Sequence, residues 1–191
     1  MTIFGVGLVN GTYPFIAAKN FTNAHRLRID IVVIHTMEAP EKPGTARGVA
    51  TWFGSAAGPQ ASAHYCVDEN EIIQCVLEKD VAWHAPGANS NGIGIEHAGF
   101  AKFTNEDWER PGPANMLAFS AGLVAEICDR YQIPVKKLTV ADLRAGGARG
   151  ICGHKDITDA FNDGKGHWDP GPCFPWDSYT KAISEASPGG A

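Results

Sequence analysis

Residues 29–35, IDIVVIH, form an apolar, β-branched run with one aspartate near its start. That pattern predicts a strand buried on both faces, ending on His35. The following TMEAPEKPG is a loop by its proline and glycine content. In TARGVATWFG, residues 45–54, Ala46, Val49, Ala50 and Phe53 fall at spacings of three and four, which predicts a helix closed by Gly54. SAHYCVD (62–68) and EIIQCVL (71–77) flank a polar turn and predict a hairpin. NGIGIEHAG (91–99) reads as a short strand whose glycines permit close backbone approach. Between 113 and 131, Met116, Leu117, Ser120, Leu123, Val124, Ile127 and Tyr131 trace one face of a long helix. A mixed Lys, Arg and Gly stretch over 136–150 predicts a turn or short helix, and a last helix is expected over 176–185. Residues 1–24, rich in Gly, Asn and Thr, read as an irregular arm over the core.

One segment breaks the regularity. Residues 153–173, GHKDITDAFNDGKGHWDPGPC, hold two histidines, several aspartates and Pro-Gly turns with almost no aliphatic material. The pattern predicts neither a helix nor a central strand there. It is either a solvated loop or the rim of a metal site. The order of elements predicts one α/β domain, a mixed central β-sheet flanked by helices. The expected divisions are an N-terminal arm over 1–27, a domain over 28–186 and a tail or linker over 187–191.

Composition narrows the function. The chain has 191 residues, 44% hydrophobic and 19% charged, which suits one globular core rather than disorder. A formal net charge of -5 gives no global electrostatic case for nucleic acid, so no nucleic-acid partner is expected. No apolar run is long enough to span a membrane, so no membrane insertion is expected. No basic-then-apolar leader is seen at the N-terminus. The 5 cysteines are odd in number and widely spaced, which suits free thiols, although Cys66 and Cys75 lie on strands expected to pair. A monomer is the default expectation.

The candidate chemistry is that of a metal hydrolase. Such zinc sites use three protein ligands from His, Cys, Asp or Glu and leave a fourth position for water. His35 at a strand end, His154 after Cys152-Gly153, and Asp169 before a Pro-Gly turn are candidates. There is no HExxH and no CxxC, so no local motif forces the assignment. Each residue also has an ordinary structural use, as a strand-end side chain or a turn former.

Five segments change that balance when read in order: IVVIHTM (31–37), SAHYCVDENEIIQCV (62–76), VAWHAPG (81–87), NGIGIEHAG (91–99), and GHKDI with DPGPCF (153–157, 169–174). Together they resemble the zinc-dependent N-acetylmuramoyl-L-alanine amidase family, whose AmpD-like and T7 lysozyme-like members share a fold with peptidoglycan recognition proteins. The resemblance covers residues 28–180. It implies Zn2+ on His35, His154 and Asp169, with Glu96 taking a proton from the attacking water and returning it to the leaving amine. AmpD-like members carry a lysine two residues before the third ligand, where this chain has His167. An imidazole there could steady the oxyanion, with more pH sensitivity than a lysine. The spacing also leaves open His167 as a ligand in place of Asp169. His64, Trp83 and His84 are weaker candidates for the substrate cleft, and His64 has the alternative of supporting the site from beneath. Side-chain alternation sets His97 on the opposite face from Glu96, so it is not expected to bind zinc. Cys173, four residues after Asp169, is a rival thiolate ligand, and Cys152 a poor candidate nucleophile.

The implied function is hydrolysis of the bond between N-acetylmuramic acid and L-alanine in bacterial peptidoglycan or a muropeptide. The implied setting is a phage endolysin, made in the host cytoplasm and reaching the wall after holin-type release. The rivals are a non-catalytic peptidoglycan-binding module of the same fold and a cytoplasmic wall-recycling amidase.

Overall fold

A computed structural model describes residues 8–9, 13–26 and 28–187. The central sheet has five strands in the order β6-β5-β8-β4-β9. These are β4 (Ile31–Thr36), β5 (Tyr65–Val67), β6 (Ile72–Gln74), β8 (Gly92–His97) and β9 (Gly150–Gly153). β4 runs parallel to both β8 and β9, β5 runs parallel to β8, and only β6 is antiparallel to its neighbour. All six residues of β4 are buried, as its unbroken apolar run requires of a strand covered on both faces.

Alternation sorts the side chains. Val32, Ile34, Tyr65, Val67, Ile93, Ile95 and Ile151 pack with the long helix α3 (Pro111–Tyr131) and with α6 (Trp176–Ala186). The intervening Ile31, Val33 and Cys152 pack with Leu143 of α4 (Val140–Arg144) and Ile157 of α5 (His154–Phe161). Cys66 and Ile73 pack under α1 (Thr45–Gly54) through Ala46, Ala50 and Phe53. Asp68 ties this corner together. Its carboxylate accepts the amides of Asn70 and Glu71 in the hairpin turn and that of Ala46 in the first turn of α1. The short helix α2 (Asn105–Trp108) begins with a capping box between Thr104 and Asp107.

The N-terminal arm is more regular than expected. β1 (Leu8–Val9) pairs with β2 (Tyr13–Pro14), and β3 (Phe21–Thr22) pairs with β7 (Val81–Ala82). Between them, the amides of Ile16 and Ala18 bond to the carbonyls of Gln74 and Cys75, so the arm extends the β6 edge. Most of the expected tail, residues 188–191, lies outside the described residues.

The expectation for 153–173 needs correction. Its first part is α5, a regular helix entered directly from β9. Asp156 accepts the Gly153 amide at 2.7 Å, satisfying a helix-start donor, and Lys137 pairs with the same carboxylate. Ile157 supplies the buried face, while the aspartates that suggested a loop occupy the solvent side. Loop character begins only after Phe161. The five cysteines are all free thiols; Cys66 and Cys75 Sγ lie 3.8 Å apart without a bond.

Candidate metal centre

His35 stands at the C-terminal end of β4, and β8 places Glu96 directly beside it in register. His154 is the first residue of α5, where β9 ends. Asp169 comes from the loop after α5, and its backbone carbonyl accepts the Lys155 amide at 2.9 Å. That bond fixes the loop against the helix start and sets Asp169 next to His154.

The three side chains converge. Asp169 Oδ2 lies 3.1 Å from His35 Nδ1, and Oδ1 lies 3.2 Å from His154 Nδ1. One ligand atom from each residue falls within 4.8 Å of the others, and all three residues are buried. Burial would raise the Asp169 carboxyl, but hydrogen bonds from His154 and His35 outweigh it and hold it below the usual carboxylate range. Burial lowers His35, keeping a neutral imidazole with a lone pair to give. This is a donor set for a borderline-soft divalent ion: two imidazole nitrogens and one carboxylate oxygen.

Glu96 faces the same cleft. Its Oε2 is buried and has no hydrogen-bond partner among the described residues. Burial raises its carboxyl well above the ordinary value, and Asp169 adds to the shift. His167 lines the cleft with its side chain 71% exposed, its Nδ1 3.6 Å from Asp169 Oδ1 and its ring stacked on His154 at 4.3 Å. It sits at the mouth rather than among the three converging donors. The cleft has a volume of about 240 Å³ and is walled on its apolar side by Met37, Trp52, Phe53 and Trp83. Trp83 Nε1 donates to Thr22 of the arm at 3.0 Å, which holds the ring in place.

Two expected cleft residues differ from one another. His84 lines the cleft and touches His35, with Nδ1 3.1 Å from His35 Nε2. His64 does not line it, a correction to the expectation. It is fully buried beneath, its Nδ1 accepting the Gly94 amide at 3.0 Å and its Nε2 facing the Asp80 carbonyl. Burial, with the Arg26 guanidinium nearby, pulls it down to about 3. His97 points to the other face, where Nδ1 donates to the His35 carbonyl and Nε2 meets Ser120. Cys152 is buried in β9 with its thiol pushed up by burial, unsuited to nucleophilic attack. Cys173 lines a separate cavity beside α3 and α6 and lies outside the converging group.

Sequence reasoning missed Trp52, Glu38 and Asn89. Trp52 lies off the buried stripe of α1 and is half exposed, and a tryptophan off the apolar face was the available signal. Glu38 lines the cleft while accepting the Ala101 amide and the Thr36 hydroxyl. Asn89 accepts the amides of His84 and Ala85, a local bond with no motif to announce it.

The sequence profile of N-acetylmuramoyl-L-alanine amidase matches residues 25–172. N-acetylmuramoyl-L-alanine amidase A of Achromobacter lyticus is 31% identical over 176 residues, 88% of this chain and 90% of that protein. N-acetylmuramoyl-L-alanine amidase AmiD of Escherichia coli is 26% identical over 172 residues, 81% of this chain but only 53% of AmiD, so the chain spans about half of that relative. Among solved structures, Staphylococcus aureus hydrolase AmiA with its ligand superposes with a TM-score of 0.67 at 17% identity, covering 93% of this chain and 85% of AmiA.

Proposed function

The chain belongs to the N-acetylmuramoyl-L-alanine amidase family, enzymes that act on peptidoglycan, and we propose that it works with zinc held by His35, His154 and Asp169 and with Glu96 as proton carrier. The observation that carries this reading is convergence. Two buried imidazoles and a buried carboxylate meet at one point, and the Glu96 side chain lines the cleft beside them. When bound, zinc polarises a carbonyl and lowers the pKa of a water toward neutrality.

The chain's own residues supply the rest. Burial makes Glu96 a stronger base than a free carboxylate. Ionised, its carboxylate takes a proton from the attacking water and returns it to the departing nitrogen, which leaves poorly unless protonated. His167 offers an N–H at the cleft mouth where negative charge develops on the substrate oxygen. Trp52 and Trp83 give the apolar wall on which sugar or peptide is laid. The phage endolysin setting is a proposal about delivery rather than chemistry and rests on the resemblance of the sequence. Lysis of a host culture that requires a co-expressed holin supports it, and lysis without one counts against it.

End-group analysis of digested peptidoglycan tests the reaction. The expected products are new L-alanine amino termini without new reducing sugars, abolished by a chelator and restored by zinc. New reducing ends would make the enzyme a glycosidase. Sedimentation with the wall without cleavage would make it a binding module.

A further inference from the structure

We propose that His84 is a positioning residue for the metal centre, accepting the Nε2 hydrogen of His35 and so fixing which nitrogen of His35 is free to bind the ion. The inference rests on the metal reading above. His35 uses its two nitrogens in opposite directions. Nδ1 faces Asp169, and Nε2 faces His84 Nδ1, each at 3.1 Å. The Nδ1 nitrogens of both His35 and His154 lie against Asp169, so the ion belongs on that side. A neutral imidazole carries one hydrogen, and a nitrogen that binds a metal carries none. Without an ion the hydrogen of His35 lies on Nδ1, toward the Asp169 carboxylate; once an ion takes Nδ1 it must sit on Nε2, in a buried place where an unpaired donor is costly. His84 Nδ1 is the acceptor that meets it, which leaves the one hydrogen of His84 on Nε2, a buried atom with no hydrogen-bond partner among the described residues.

His84 is itself held from two sides. Asn89 Oδ1 accepts the backbone amides of His84 at 2.9 Å and of Ala85 at 2.7 Å, which shapes the turn after Trp83. The ring lies flat on β8 at Gly94, where a Cβ would come within 2.5 Å of His84 Cγ. Any larger residue at Gly94 displaces the ring. The Gly94 amide is in turn anchored by His64 Nδ1. His64, Gly94 and His84 therefore form one stack beneath His35. This gives a use to the WHAPGAN turn, to the glycine of GIGIEH, and to a buried histidine that never reaches the cleft. Outer partners that orient a metal-bound imidazole in this way are worth about 10- to 100-fold in metal affinity.

The test is zinc affinity by chelator competition on the full chain, with near-ultraviolet circular dichroism of the metal-free protein as the check on folding. H84F keeps a ring but has no acceptor, and its zinc Kd is expected to rise about 10- to 100-fold. H84N keeps an acceptor near the Nδ1 position and is expected to stay close to the parent. N89A loosens the turn without touching the cluster and is expected to weaken zinc in the same direction by less, which keeps the inference testable should H84F not fold. A folded H84F with parental zinc affinity, or an H84N as weak as H84F, overturns the inference and leaves the metal site standing. A parent that binds no zinc overturns the metal reading itself.

Discussion

The two faces of the central sheet are made from alternate residues of the same strands, and they are put to opposite uses. On one face Val32, Ile34, Ile93 and Ile95 are closed off by α3 and α6. On the other, the next residues along are Val33, His35, Gly94 and Glu96, and the face opens at the strand ends into the cleft. His97 and Glu96 show the contrast at its sharpest. They are neighbours in the chain, yet His97 is tied into Ser120 and through it to Tyr179, while Glu96 lines the cleft. The cavity beside α3 and α6, lined by Trp108, Leu117, Cys173 and Tyr179, is about 440 Å³ and larger than the cleft, but among the described residues it gathers no converging set of His, Cys, Asp and Glu. Volume does not locate the chemistry here. What locates it is a strand end on the face where alternation leaves polar residues.

Substitutions on the two faces should separate accordingly. The largest effect is expected from Asp169→Ala, which takes zinc from about one ion per chain to none and abolishes cleavage, read by metal analysis and product assay. Glu96→Gln should keep the zinc but lower kcat by about 10²- to 10⁴-fold. Its neighbour Ile95→Val should cost about 1 kcal/mol in a denaturant melt and leave kcat unchanged. A retained zinc with lost turnover in one, and lost stability with retained turnover in the other, would mark the two faces of a single strand.

His97 tests the closed face by pH. Burial holds it at about 4, whereas the unfolded chain's histidine titrates near 6.5. Below about 6.5 the unfolded state takes the proton first, so stability should fall as pH drops and level off once pH passes the folded value near 4. His64, at about 3, acts in the same sense. Melts from pH 4 to 7 should therefore show a rising stability that H97N flattens in part. The smallest effect is expected from Leu117→Gln at the α3–α6 cavity, with neither zinc affinity nor kcat altered. A fall in either would tie that cavity to the site.

Much of this was legible in the sequence because it is local. IDIVVIH states its own burial and ends on a histidine of the converging group, and the alternation in GIGIEH sends Glu96 and His97 to different faces without any structure. The proposed metal set was legible only through the order of five segments, since His35 lies more than a hundred residues before His154 and Asp169 and no short motif joins them. What stayed hidden was set by neighbours. The helix α5 was obscured because its solvent side is the polar part of the pattern, and its start depends on a glycine and on Asp156 three residues later. His64 looked like a cleft residue because sequence gives strand position but not depth. Asn89 bears on the site through the backbone of His84 and Gly94 through its ring, contacts that no spacing announces.

The most direct test of the account is the anomalous scattering of a zinc-loaded crystal. One ion is expected, bonded to His35 Nδ1, His154 Nδ1 and an Asp169 oxygen at about 2.0–2.2 Å, with Glu96 beside it and His167 unbound. An ion held through His35 Nε2, or by His167 in place of Asp169, would contradict it.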